Sequence, residues 1–82
     1  MDTRLYQQAK ALVCETLEIP ESELNDDTQF VDDLNIDSIL IIELKTQFEE
    51  KYGIAIPKEE LKNINSLADI MTYLEQHHVE PV

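Results

Sequence analysis

Apolar residues recur at helical spacing in three stretches of the chain, and the segments between them are polar and mostly acidic. Leu5, Ala9, Leu12, Val13 and Leu17 follow one another at intervals of four, three, one and four residues, which makes one apolar stripe along a helix. Thr3 stands where an N-cap belongs. Pro20 closes the segment, and Ile19 before it is biased towards extended geometry. A second helix is predicted from Asp37-Ser38 to about Tyr52, with Asp37 as N-cap and Gly53 as the stop. On its wheel Leu40, Ile41, Leu44, Phe48 and Tyr52 share one side, the expected core side. Ser38, Ile39, Ile42, Glu43, Thr46, Glu49 and Glu50 share the other, a surface of two aliphatic residues ringed by carboxylates. Ile54-Ala55-Ile56 is short and apolar, and Pro57 suits the first position of a brief third helix running through Leu61 to near Asn63. A fourth helix opens at Ser66, with Asp69 in a near capping box and Leu67, Ile70, Met71 and Leu74 on its apolar face. Residues His77 to Val82 are expected to fray, with Pro81 ending any helix.

The gap between the first two helices breaks this rhythm. From Glu18 to Asp37 the chain holds eight acids and no base, punctuated by Ile19, Leu24, Phe30, Val31, Leu34 and Ile36. This reads as a long loop pinned to the core by those side chains, with room for one short turn. Loops of such length inside a compact domain are uncommon and tend to be functional. The pattern as a whole predicts an all-α protein, residues 1–82 forming one small four-helix bundle with a short third helix and a long loop between helices one and two.

Charge narrows the partners. With 18 acids against 6 bases the formal charge is -12, which argues against nucleic acid and against an anionic membrane surface and favours docking on basic protein surfaces by electrostatic steering. No apolar run approaches the roughly 20 residues of a membrane span. Met1-Asp2-Thr3-Arg4 is not followed by a signal-like apolar stretch, so a cytoplasmic monomer is expected.

The residues offer little for catalysis. Cys14 alone allows neither an internal disulfide framework nor a Cys-rich zinc site; beside Val13 it reads as a small core residue. A single glycine, Gly53, excludes a Gly-rich phosphate loop. A nucleophile needs a base within reach, and the two histidines, His77 and His78, lie in the expected tail. Asp32 and Asp33 read as a solvated acidic pair, no EF-hand spacing is present, and no metal site is expected. Ser38 stands apart through its setting. It sits where the acidic loop meets a helix N-terminus, although serine is also common there for capping reasons.

The stretch Phe30-Val31-Asp32-Asp33-Leu34-Asn35-Ile36-Asp37-Ser38-Ile39 resembles the phosphopantetheine attachment signature of acyl carrier proteins. The resemblance continues through Glu43-Leu44, Phe48-Glu49-Glu50-Lys51-Tyr52-Gly53-Ile54-Ala55-Ile56-Pro57 and Asn65-Ser66-Leu67-Ala68-Asp69-Ile70, and covers roughly Leu5 to Leu74. It implies a carrier without catalysis of its own, in which Ser38 receives 4'-phosphopantetheine from coenzyme A by way of a phosphopantetheinyl transferase. Asp37 matches the acid used in recognition by that transferase. Ile39, Ile42, Glu43, Thr46, Glu49 and Glu50 match partner-facing positions, which would meet acyl-handling enzymes with basic docking patches. Leu40, Ile41, Leu44 and Phe48 match positions turned to the interior, where family members shelter an acyl chain.

The sequence departs from the family pattern at several points. Asn35 stands where the family usually has Gly, and Asn tolerates left-handed backbone better than most residues. Ile39 replaces the commoner Leu, and Leu40 and Ile41 stand where many fatty-acid carriers have Asp and Thr. Lys45 and Lys51 dilute the charge of the second helix. These differences suggest a specialised carrier of fatty acid, lipid or polyketide-type biosynthesis. The aliphatic start of that helix also suits an aminoacyl load, as in peptidyl or D-alanyl carriers. Charge alone would suit a non-covalent acidic helical adaptor. Self-repulsion among the acids is expected to lower Tm at low ionic strength, so added salt or magnesium should raise it in thermal scans; an unchanged Tm would refute this.

Overall fold

α1 spans Thr3–Leu17, α2 Ser38–Tyr52 and α3 Leu67–Gln76, with 3₁₀ segments at Glu21–Glu23 and Lys58–Asn63. The computed structural model describes residues 3–82, and no strand occurs among them. The helical bundle expected from the pattern is present, with a third member that is 3₁₀ rather than α. Pro57 occupies its cap position, not its first turn. The six residues carry i→i+3 bonds, Glu60 N–H to Pro57 O at 2.9 Å and Ile64 N–H to Leu61 O at 3.2 Å. A run this short between a proline and the turn into α3 gains little from the wider α register.

α1 is the hub, packing against both α2 and α3. Its stripe is buried as the spacing predicts, with Ala9 and Val13 fully enclosed and Cys14 beside them. Thr3 is the first residue of α1 rather than its cap, and the position before it lies outside the described residues. α2 contributes only Leu44 and Phe48 as fully buried residues, while Leu40, Ile41 and Tyr52 pack at the margin. Gly53 ends α2 in the left-handed region (φ 63°) and donates its N–H to Glu49 O, a conformation costly for any residue with a Cβ. Ser66 caps α3, its Oγ accepting from Asp69 N–H at 3.2 Å. Asp69 returns the contact one residue early, accepting from Asn65 N–H at 2.9 Å.

The long acidic loop is ordered by more than its apolar side chains. Leu24 and Phe30 are buried and Ile19, Leu34 and Ile36 pack against the core, but Val31 is 49% exposed. Its N–H, rather than its side chain, is the anchor, donating to Asn65 Oδ1 at 3.1 Å. Asn65 also accepts Phe30 N–H on its main-chain oxygen at 2.8 Å and donates Nδ2–H to Gln29 Oε1 at 2.6 Å. Ala68 N–H reaches Asp26 O at 3.1 Å. One residue at the head of α3 thus grips three consecutive loop residues.

The segment expected to fray is docked. α3 stops at Gln76, well before Pro81, where His78 turns left-handed (φ 54°) and Val79 N–H returns to Leu74 O at 3.0 Å. The His77 ring stacks on Tyr73 with centroids 4.2 Å apart, and Val79 packs on the core. Gln8 on α1 brackets Val82, donating Nε2–H to its main-chain oxygen at 2.6 Å and accepting its N–H at 3.0 Å.

Asn65→Ala removes the side-chain grip on the loop and is expected to lower stability by about 1–2 kcal/mol. Asn63→Ala, at an exposed site two residues away, should change it by less than about 0.5 kcal/mol. Urea unfolding of both variants checks the contrast.

Candidate functional site

The start of α2 is built by the turn before it. Gln29 N–H donates to Asp33 Oδ2 at 2.8 Å, Asp33 and Leu34 N–H return to Gln29 O, and Ile36 N–H donates to Phe30 O at 3.0 Å. Asn35 supplies the bend with φ 56°, the left-handed geometry that its short polar side chain tolerates. Asp33 is therefore committed to holding the loop. Asp37 follows in extended conformation (φ -82°, ψ 169°), and its Oδ1 accepts Leu40 N–H at 3.0 Å. The N-cap position is thus filled by Asp37, and the structural role a serine might have had here is already taken. Ser38 is exposed in the first turn of α2, and among the described residues its hydroxyl has no hydrogen-bond partner.

The outward face of α2 is largely as the wheel predicts. Ile39 is 74% and Ile42 51% exposed, with no core to explain them. Glu43 and Glu50 are exposed, and Glu43 Oε1 accepts from Gln47 Nε2 at 3.1 Å. Thr46 is half-buried and donates its hydroxyl to Ile42 O at 3.1 Å. Glu49 departs from the expectation. Its Oε2 accepts Ile56 N–H at 2.8 Å and its Oε1 pairs with Lys45 Nζ at 3.2 Å. The backbone bond to Ile56, then the Lys45 ammonium, holds its carboxyl below the usual range. Glu49 thus fastens the chain after Gly53 to α2 instead of standing free on the outer face.

Behind α2 lies a small apolar cavity of ≈ 20 Å³, lined by Ile41, Leu44 and Phe48 together with Ile56, Leu61, Ile64, Ile70 and others. That is room for about one water-sized body. Of the four interior positions, Leu40 does not line it. A larger open groove of ≈ 720 Å³ runs beside Ser38 between the start of α2, the loop and the Lys58–Asn63 segment. Ile41, Leu61 and Ile64 line both spaces, so a single apolar wall separates the groove at the serine from the cavity in the core. Val31, Asp32, Lys58, Lys62 and Asn65 also line this groove, a placement that helical spacing does not predict. Lysines just after Pro57, in a chain so acidic, were the available signal.

No other cluster competes with this one. Cys14 is buried, and burial, with Glu21 adding to it, pushes its thiol up and away from reactivity. Among the described residues no group of His, Cys, Asp and Glu is disposed to hold a metal ion, and no helix is long and apolar enough to cross a membrane.

A small helical bundle that offers an exposed, unengaged serine hydroxyl at a capped helix start, with a groove alongside, has the form of a carrier domain. Residues 7–74 match the family described as phosphopantetheine attachment site. The acyl carrier protein of Helicobacter hepaticus is 39% identical over 75 residues, covering 92% of this chain and 96% of that one. A Mycobacterium tuberculosis structure assigned as an acyl carrier protein superposes with a TM-score of 0.77 at 25% identity, covering 88% of this chain and 96% of that one. The HMG-ACPI domain of the CurA module from Lyngbya majuscula gives a TM-score of 0.76 at 30% identity over 88% of this chain and 72% of that one. The chain belongs to the acyl carrier protein family. Its cofactor is a covalently attached 4'-phosphopantetheine, and its function is that of an acyl carrier. Such carriers work with a phosphopantetheinyl transferase and acyl-handling enzymes.

Because the folded carboxyl of Glu49 titrates below its ordinary value of 4.5, its contribution to stability is present above that value and is lost as pH falls through the folded value. Glu49→Gln should therefore be less stable than the parent near neutrality, and the difference in Tm should close on acidification below pH 4.5. Melting curves of both proteins across that range test the sign.

Proposed function

We propose that Ser38 is the attachment point of the arm and that the chain is a specialised, monomeric cytoplasmic carrier serving fatty acid, lipid or polyketide-type biosynthesis. The observation that carries this reading is the Ser38 hydroxyl, exposed and unengaged because Asp37 performs the capping. In the loading step the serine oxygen attacks the β-phosphorus of the coenzyme A pyrophosphate. A phosphodiester to phosphopantetheine forms, the P–O–P bond breaks, adenosine 3',5'-bisphosphate leaves and the serine proton passes to a base of the transferase. The positive end of α2 favours the new phosphodiester anion. The arm ends in a thiol that holds acyl groups as thioesters. Asp37, next to the anchor, presents its second carboxylate oxygen to the transferase.

The chain acts by delivery and performs no bond chemistry on the load. Tethering raises the effective concentration of the acyl group at an enzyme that has docked. Ile39 and Ile42 supply an apolar contact, and Thr46, Glu43 and Glu50 frame it for a basic entrance. Glu49 belongs to this face chiefly by holding the end of α2. Ile41, Leu44 and Phe48 form the wall against which an acyl chain would lie, with Leu40 beside them at the margin of the core.

Incubation with coenzyme A and a promiscuous phosphopantetheinyl transferase is expected to raise the intact mass by one arm. Ser38→Ala should abolish the gain while keeping the fold, since the cap at Asp37 survives. An unchanged mass for the parent protein across several transferases would refute the assignment.

A further inference from the structure

The outer face of α2 runs on into the groove. Around the helix, Ile42 falls between Ile41 on the groove floor and the outward Ile39, Glu43 and Glu50. Ile42 is 51% exposed and lines the groove, as does Val31 at 49%. Beyond the floor, on the 3₁₀ segment, stand Lys58 and Lys62, both exposed. The ion pair found among the described residues joins Lys45 to Glu49, so neither groove lysine is held by a carboxylate of the chain. Of the two groove acids, Asp37 caps α2 and Asp32 stands on the loop. The acids of the 3₁₀ segment lie elsewhere. Glu59 and Glu60 do not line the groove, and Glu60 borders a separate polar hollow with Asn63, Asp69 and Gln76. In a chain carrying -12 formal charge with 6 bases in all, this sorting leaves one continuous surface. It is acidic at the α2 edge, apolar along its middle and cationic at the 3₁₀ edge.

We infer that this surface is read as a whole, and that the partner it fits is a protein carrying a basic row, an apolar ridge and an acidic row side by side. The proposal rests on the outer face of α2 being the docking face. The partner's basic row meets Glu43 and Glu50, its ridge meets Ile39, Ile42 and Val31, and its acidic row meets Lys58 and Lys62. An enzyme whose entrance is uniformly basic gains the α2 edge but is repelled at the two lysines, so the pair selects against it. Opposite charges on either side of one ridge also fix how the partner is turned, which a single acidic face does not. The lysine contacts are exposed, screened by salt and modest in strength, as suits a carrier that must leave one enzyme for the next.

The test titrates the ¹⁵N-labelled full chain with two synthetic amphipathic helices and follows binding by NMR. Both peptides carry a leucine ridge with an arginine row along one edge. The other edge holds glutamates in the first peptide and glutamines in the second. Physiological salt, with a Debye length of about 8 Å, suppresses the long-range pull of so acidic a chain. The quantity read is the preference, the affinity for the glutamate peptide divided by that for the glutamine peptide. It should be roughly two- to five-fold higher in the parent protein than in Lys58→Gln/Lys62→Gln, the range of exposed ion pairs. Lys10→Gln/Lys51→Gln removes the same charge at residues that do not line the groove, and should keep the parent preference. A preference that survives the groove substitutions, or that falls equally in the control variant, overturns the proposal. In either case perturbed resonances at Ile39, Ile42 and Glu43 would leave the α2 docking face standing. If neither peptide perturbs α2, that docking face itself fails and the proposal fails with it.

Discussion

The contacts of Asn65 decide where the rest of the site can be. The twenty residues from Glu18 to Asp37 hold eight carboxylates and no cation, a composition that on its own favours an expanded chain. Against that repulsion the loop buries Leu24 and Phe30, but two side chains do not set a path. The path is set by Asn65, which holds Phe30 and Val31 through their N–H groups and Gln29 through its amide. Asp69 in turn fixes Asn65 at the head of α3. Hydrogen bonds to main-chain groups suit this task because they do not compete with the charges around them. The loop from Gln29 onwards then has one way to reach α2, and the position of Asp37 follows from it.

Asp37 and Ser38 divide two tasks that a serine at a helix start usually combines. A capping serine turns its hydroxyl inward to the N–H groups of the first turn. Here the carboxylate does so, accepting from Leu40, and the serine becomes the first residue of the helix, exposed and with no hydrogen-bond partner for its hydroxyl among the described residues. Dipole and cap reinforce each other, since a carboxylate at this end of the helix is itself stabilising. Placing the hydroxyl one residue after the cap leaves it exposed without loosening the helix that carries it.

Much of this was legible in the sequence, for physical reasons that also explain what was not. The stripe of α1, the cap at Asp37, the stop at Gly53 and the start of α3 at Ser66 are local features, governed by residues a few positions apart, and the structure shows each of them. The left-handed Asn35 follows from the same local logic. What the pattern could not supply was pairing across long separations. Asn65 bonds to residues 34 and 36 positions away, and Gln8 to Val82 at 74, so the grip on the loop and the docked tail carry no periodic signal. The partners of Glu49 were not legible for a related reason. A wheel assigns a side chain to a face but not to a partner, and a residue at the margin between faces can turn either way. The 3₁₀ character of Lys58–Asn63 likewise depends on how the ends of so short a segment are held.

With the carboxylate of Glu49 engaged by Ile56 and Lys45, the unpaired acids of the outer face reduce to Glu43 and Glu50, two helical turns apart on the same side of α2. Between them and Ser38 lie Ile39, Ile42 and Thr46, a row in which the apolar members are far more exposed than their neighbours at Leu44 and Phe48. α2 buries only one narrow edge, so these isoleucines contribute nothing to the core and their exposure must be offset elsewhere in the fold. A helix that served stability alone would carry polar residues there. The same helix start is flanked on its other side by the groove whose far bank is cationic. The surroundings of Ser38 therefore differ from one side of α2 to the other, acidic on the outer face and of mixed charge in the groove. The outer face presents carboxylates and isoleucine side chains, whereas the groove presents lysines and aspartates around an apolar floor. As the proposed anchor, Ser38 stands on the boundary between those two environments, from which a load can be presented outward or held inward without any movement of the helices themselves.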